Sequence, residues 1–485
     1  MVLFAEPSPG YVFGGWSVAA CTQPFCPVTV SADKQVTATF LLEPISVKLI
    51  GPGRGTVQFL GASGGATKLV PVPEPGYTFV GWRGACTGRG DCVLSGGRVQ
   101  AAFSEVFYYA RNPTFALNGI SLAGTNQHQI STLAALSSSW YAVDADGLNL
   151  AYTSNLTPDF AGSGRDNLWA LDLVTHQVRA LTQFADSVNV ARGMPGLFSP
   201  DGQTLAFFSD QAPTSTVEEQ LPNGNSWYGN NLFTVKRDGT GMKAVTNYLA
   251  GELVLLSYPF NYENTRAFTW SPDGKQVAFV ARLPVDGYAN LFTAGPDGSN
   301  LAQLAHFASS TLSGDPQPYS LSWSPDGKKI GFVCRLGPVQ TLTGSEYRFS
   351  NAPNVCTAAA ADGAVSLLTN NTSTAEVVNA LYAPVGNTIV YLEPDGEMST
   401  YTFRSIADDG TNPRLLSENR NYQAAPVWHV DGTTLLFESN GPLPQGGSTG
   451  NHIWQLPVGA DGGSPQPVTT TPYTYDYTFN DNNDD

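Results

Sequence analysis

The side chains of this 485-residue chain best able to do chemistry are few, and their spacing narrows what they can do. Six cysteines stand in three local pairs, Cys21 with Cys26, Cys86 with Cys92, and Cys334 with Cys356. An even number of thiols at short separations reads as three disulfides and hence an oxidising compartment. Zinc is the alternative for the first two pairs, but no histidine lies near them. A free buried pair is the alternative for Cys334 and Cys356. The five histidines, His128, His176, His306, His429 and His452, fall at unlike positions of the pattern described below, so they do not assemble a multi-histidine metal centre. No nucleophile elbow, phosphate loop or zinc-protease helix signature occurs.

Two further groups are candidates for binding. Trp227, Tyr228, Tyr248, Tyr258, Phe260, Tyr262, Tyr319 and Tyr347 lie in four long connections, 210–230, 247–267, 306–320 and 336–353. Such flat amphipathic groups suit sugar rings or peptide segments; the alternative is that they pack their own loops. Asp201, Asp273, Asp326 and Asp431, with Asp238, Asp297, Asp362, Asp409 and Asp461, recur next to glycine and read as turn formers. The alternative is a cation site, with Asp481 and Asp484 of the tail adding oxygen ligands. No cofactor is called for beyond such a structural calcium.

Charge restricts the partners. The net charge is −16, and it is uneven: residues 105–485 hold 17 Lys and Arg against 35 Asp and Glu. That balance repels phosphate backbones and anionic membrane surfaces, so no nucleic-acid partner is expected. No run of about 18 apolar residues occurs, so no transmembrane segment is expected. Fifty glycines, 34 prolines and only 13% charged residues suit many short strands joined by tight turns.

The elements that would position these residues are repeats. Pro9-Gly10-Tyr11-Val12-Phe13 with Gly15-Trp16 matches Pro75-Gly76-Tyr77-Thr78-Phe79 with Gly81-Trp82. Each continues into a cysteine pair and ends in an alternating strand, Val36–Phe40 or Val99–Phe103, whose period of two marks a half-buried β surface. The pattern resembles the divergent B repeat of listerial internalins, which implies a spacer role. It gives a partial repeat at 1–41, beginning midway through the pattern, and a second repeat at 45–104. Further repeats and an export signal are expected upstream of Met1.

From residue 105 a four-strand unit recurs around Asp144-Ala145-Asp146-Gly147, Ser199-Pro200-Asp201-Gly202, Ser271-Pro272-Asp273-Gly274, Ser324-Pro325-Asp326-Gly327, Ala383-Pro384-Val385-Gly386 and His429-Val430-Asp431-Gly432. These turns, with second strands such as Val277-Ala278-Phe279 and third strands such as Asn231-Leu232-Phe233, resemble the TolB-like β-propeller family. The expected fold is therefore all-β: a seven-bladed propeller over 105–485, its first blade closed by a strand at 473–479, with six blades as the alternative. In TolB itself an α/β domain precedes the propeller. B-type repeats stand there in this chain, so a role in the Tol system does not carry over.

In such a blade the first-to-second and third-to-fourth turns share one rim, while the long connections share the other. Long loops on a rigid scaffold often carry function. The expectation is a non-catalytic protein of the cell surface, periplasm or medium, whose loop-rich rim binds a protein or glycan. A polysaccharide lyase is the enzymatic alternative, because some TolB-like propellers resemble oligogalacturonate lyase. A structural subunit of a surface assembly is the third reading.

Overall fold

The computed structural model describes residues 1–469 apart from 9–10, 19, 30–32, 34, 62–65, 111–115, 132–140, 145–146, 157–161, 184–195, 210–218, 221–225, 228–230, 247–253, 256–266, 283–288, 308–317, 342–343, 372–376, 395–399, 430, 441–442, 444–450 and 460–462. Among the described residues every regular element is a strand. The chain divides into two compact units, Met1–Glu105 and Val106–Asp485.

The first unit repeats one small design. In its second copy, Arg98–Ser104 pairs in parallel with Ser46–Ile50 and antiparallel with Thr78–Gly84. Beside them Thr67–Pro73 lies between Gly55–Gly61 and Cys92–Leu94. The core holds Leu69, Trp82, Cys92, Val99, Ala101 and Phe103. So little apolar area cannot hold a fold alone, and two devices assist it. Cys86–Cys92 clips the loop after Trp82, and the indole Nε1 donates to the Gly90 carbonyl inside that loop at 3.0 Å. The first copy repeats both: Cys21–Cys26 closes a loop in which Gln23 accepts from Trp16 Nε1 at 2.9 Å. Phe79 packs on Trp82 with centroids 5.0 Å apart, as Phe13 does on Trp16 at 5.6 Å.

The second unit is a succession of seven antiparallel arrays. The first has three strands among the described residues, Val106–Ala110, Ala116–Ile120 and His128–Ser131. The second runs Tyr141–Val143, Asn149–Leu156, Gly162–Asp172, Val178–Ala180, each paired to the next. The third, fourth and fifth contain the same order, with inner strands Leu197–Phe198, Phe268–Trp270 and Tyr319–Trp323, and in the fourth Val254–Leu255 also pairs with the second strand, Val277–Arg282. The sixth and seventh share one long strand, Arg414–Trp428, which pairs with Thr400–Ala407 through its first part and with Thr434–Ser439 through its last.

Short turns within each array follow from the Ser-Pro-Asp-Gly tetrads. In three of them the serine hydroxyl donates to the aspartate and accepts a later backbone N–H, as at Ser199, where Oγ lies 2.5 Å from Asp201 Oδ1 and accepts from Thr204 N at 3.0 Å. A second clasp fixes the outer strands. The threonine after the fourth strand donates to the asparagine that opens the third, Thr182 to Asn167 at 3.0 Å, Thr246 to Asn231 at 3.2 Å and Thr369 to Asn354 at 2.9 Å. These contacts satisfy polar groups where each array is buried.

Neighbouring arrays are joined by apolar layers. Ala206, Phe208 and Leu232 of the third meet Phe268, Trp270 and Phe279 of the fourth. Leu291 of the fourth meets Trp323, Ile330 and Phe332 of the fifth. The same relation links the seventh array to the first, where Ile453 and Val468 pack with Val106 and Ile120. Gln455 Nε2 donates to the Leu122 carbonyl at 2.8 Å across that seam.

Close backbone approach follows the same circuit. A Cβ at Gly363 would stand 1.6 Å from the Leu304 carbonyl oxygen of the preceding array, and one at Gly124 would stand 2.6 Å from that of Val468. The seventh array therefore precedes the first as the fourth precedes the fifth. This closed order is the propeller expected from the repeats. The strand expected at 473–479, which would complete the first array, lies outside the described residues.

Candidate functional site

The alternating strand directions place the first-to-second and third-to-fourth turns on one rim and the remaining connections on the other. On the short-turn rim the aspartates are committed locally. Asp273 accepts from Ser271 Oγ at 2.7 Å and Lys275 N at 3.1 Å, and Asp238 from Thr240 Oγ1 at 2.6 Å and its backbone N–H at 2.9 Å. Asp297 and Asp409 do the same with Ser299 and Thr411. Hydroxyl donors, then backbone N–H groups, hold these four carboxyls below their usual range, while at Asp326 the Lys328 backbone N–H is the larger cause. Among the described residues no group of three or more His, Cys, Asp and Glu side chains is arranged to hold a metal. The tail candidates Asp481 and Asp484 lie outside the described residues, as does Asp461.

His429 takes the serine's place in the last tetrad. Its Nδ1 lies 3.1 Å from Asp431 Oδ2. Burial pushes the Asp431 carboxyl up, but hydrogen bonds from His429 and the Thr433 backbone N–H outweigh it and leave the group well below the usual range. The other ring nitrogen, Nε2, is shut off from solvent. The pair thus continues the turn chemistry with imidazole standing in for a hydroxyl.

Of the candidate aromatics, Trp227, Tyr319 and Tyr347 lie in strands. Tyr347 lies in a strand, Gly344–Ala359, whose ladder with Lys329–Thr341 runs from Lys329–Ala359 out to Thr341–Gly344. Within the segment 336–353, expected as an irregular connection, Leu336–Thr341 thus pairs with Gly344–Phe349 as a continuation of the blade's ladder. Trp227 is on a short strand, Ser226–Trp227, facing Glu219–Gln220. Tyr319 belongs to the inner strand Tyr319–Trp323 rather than to a loop, and its hydroxyl donates to the Val377 carbonyl of the next array at 2.9 Å. That bond makes Tyr319 a packing residue. Tyr228, Tyr248, Tyr258, Phe260 and Tyr262 lie outside the described residues. Cys334–Cys356 forms at the root of the extended hairpin, with both residues fully buried, where the register shifts between Cys334 and Leu336.

A feature that the sequence reading missed sits on the short-turn rim between the second and third arrays. It is a cleft of about 450 Å³ lined by Arg179, Lys236 and Arg237, with Asn149 and Gln203 between them. Two carboxylates, Asp172 and Asp238, also face it. Asp172 is tied to its own turn, accepting from Val174 N and Thr175 N at 2.8 Å each. Behind the wall is Asp144, 2% exposed, which accepts from Leu148 N, Asn149 N and Asn149 Nδ2 at 2.9, 3.0 and 2.6 Å. Its Oδ2 lies 3.9 Å from Arg237 Nη1. The sequence signal was Asp144 itself, the one carboxylate at a tetrad position that three other arrays fill with serine.

Residues 1–44 and 45–101 match the sequence family described as "Divergent InlB B-repeat domain". Two divergent B repeats make up most of the N-terminal unit. No curated protein matches the chain. Among solved structures, TolB from Acinetobacter baumannii is similar at 20% identity, covering 66% of this chain and 65% of that one, with a TM-score of 0.37. A putative TolB from Agrobacterium tumefaciens is similar at 18% identity, 63% and 91% coverage and a TM-score of 0.36. An oligogalacturonate lyase in complex with manganese is similar at 13% identity, 85% and 99% coverage and a TM-score of 0.49. The chain spans about two thirds of the Acinetobacter TolB, and these likenesses concern the propeller fold rather than an activity.

Proposed function

We propose that this chain is a non-catalytic binding protein of an oxidising, extracytoplasmic compartment, in which B repeats space a propeller that offers its long-insertion rim to a protein or glycan. The observation that carries this reading is the disulfide-clipped hairpin Lys329–Thr341 and Gly344–Ala359. It extends beyond the frame the blade requires, and its root is fixed by a buried crosslink, which lowers the entropy lost on binding. The opposite rim supports binding over catalysis. There the Asp273 and Asp297 carboxyls are lowered rather than raised by their hydrogen bonds, the reverse of what a general acid needs near neutral pH. Three disulfides favour an oxidising compartment.

The test replaces residues 339–346 of the full chain by a two-residue Asn-Gly turn and combines this with Trp227→Ala. Retention of the wild type and the variant is then compared on a glycan array and on isolated cell-envelope fractions. Loss of about tenfold or more in retention, with an unchanged melting temperature, is the expected result. Equal retention of both proteins overturns the face assignment.

A further inference from the structure

The two blades flanking the cleft carry charge where the architecture asks for none. The turn that joins third to fourth strand opens with Lys236-Arg237 in the third array, and the corresponding turns open with Gly295-Pro296, Ala359-Ala360 and Ala407-Asp408. These alternatives build the same turn, so the two cations are not required for it. In the groove between the fifth and sixth arrays the equivalent Asp408 takes up Lys329, whose Nζ lies 3.2 Å from Asp408 Oδ1 and donates to its carbonyl at 2.8 Å. That groove neutralises itself. The groove between the second and third differs, because Arg179 enters from the other wall and three cations line one cleft, with Asp172 and Asp238 beside them and Asp144 behind Arg237. This happens in a unit whose charged residues are two-to-one acidic.

The second wall is pre-oriented. Buried Asp144 accepts three hydrogen bonds, from the N–H groups of Leu148 and Asn149 and from the Asn149 amide, and pairs with the Arg237 guanidinium at 3.9 Å. The amide and the guanidinium are thereby held on the cleft wall before any ligand arrives. A guanidinium so held presents its remaining N–H groups as a planar fork, the geometry that matches an oxyanion. Gln203 lines the same cleft, one amide N–H donating to the Asp201 carbonyl at 3.2 Å and the other left for a hydroxyl group. Asp238, whose carboxyl is held by Thr240, lines the same cleft as Lys236 and Arg179.

We propose that this cleft is a binding site for a small oxyanion-bearing ligand, with Arg237 and Asn149 as fixed donors and Arg179 and Lys236 closing on it from the exposed side. The ligand chemistry is a carboxylate or a phosphate with hydroxyl groups next to it, as in a sugar acid or a sugar phosphate. This site lies on the rim opposite to the one proposed for the partner and does not depend on that reading.

Isothermal titration of the full chain at low ionic strength tests it, with sodium glucuronate, inorganic phosphate and neutral glucose as probes. Saturable one-to-one binding of glucuronate or phosphate is expected, without binding of glucose. Preference for glucuronate identifies a sugar acid, and preference for phosphate a phosphate ester. The exposed pair Arg179→Gln and Lys236→Gln should weaken binding about tenfold or more at an unchanged melting temperature. Raising salt from about 50 to about 300 mM should weaken it severalfold. Absence of saturation with both anions, or equal affinity in the double variant, overturns the proposal.

Discussion

Ring closure can be tested at a single side chain. Ile120 is 2% exposed and packs with Val106, Ile453 and Val468 at the seam between the first and seventh arrays. Ile120→Ala removes three carbons, worth about 0.8 kcal/mol each in transfer, about 2.4 kcal/mol in all. The cavity left in a seam with so few buried residues adds to this, giving about 3 kcal/mol. Because Ile120 touches residues more than 300 positions away, the loss should not stay local. Urea denaturation should show the reduced stability, and hydrogen exchange by mass spectrometry should speed up in Thr434–Ser439 and His452–Pro457 as well as in Ala116–Ile120. Ile330→Ala, at the layer between the fourth and fifth arrays, is the control and should leave exchange at the seam unchanged. Acceleration confined to residues 106–131, or a loss below about 1 kcal/mol, would refute closure through these contacts.

Two other outcomes follow from buried groups. Burial pushes the Glu105 carboxyl up to about 8, while Arg54 pulls the other way. The folded state thus holds a proton that the unfolded chain releases above about 4.5, so stability present below that pH is lost as pH rises through about 8. Glu105→Gln should therefore melt higher than wild type above pH 8 and alongside it near pH 4, and parallel melting-versus-pH curves would refute this. The Cys334–Cys356 crosslink spans a separation of 22 residues and should contribute about 3 kcal/mol by loop entropy. Replacing both cysteines by alanine should lower the urea midpoint accordingly, and an unmoved midpoint would exclude the contribution.

The propeller was legible because its turns are written locally. Ser199, Ser271 and Ser324 each bond the aspartate two residues on, so the tetrad carries its own geometry in four letters. The third-strand asparagines and fourth-strand threonines were also visible as repeating residues, but their bond spans 15 positions, and nothing local announces it. The hairpin at 336–353 was misread as irregular because length was taken as a sign of loop, whereas its ladder continues past the blade. Tyr319 was misplaced for a related reason: it starts an inner strand, and only the neighbouring Val377 carbonyl reveals its purpose. The cationic cleft was hidden more deeply. Arg179, Lys236 and Arg237 come from two arrays, and the acidic composition of the unit masks their gathering in one cleft.

The shared strand Arg414–Trp428 sets the last two arrays apart from the others. Here the backbone leaves one ladder at Asn421 and enters the other at Tyr422, so a twist imposed on the sixth blade is handed along one strand to the seventh. The strands from Val378–Tyr382 to Gln466–Pro467 should therefore exchange their amides as one unit, coupling the sixth blade to the seam with the first.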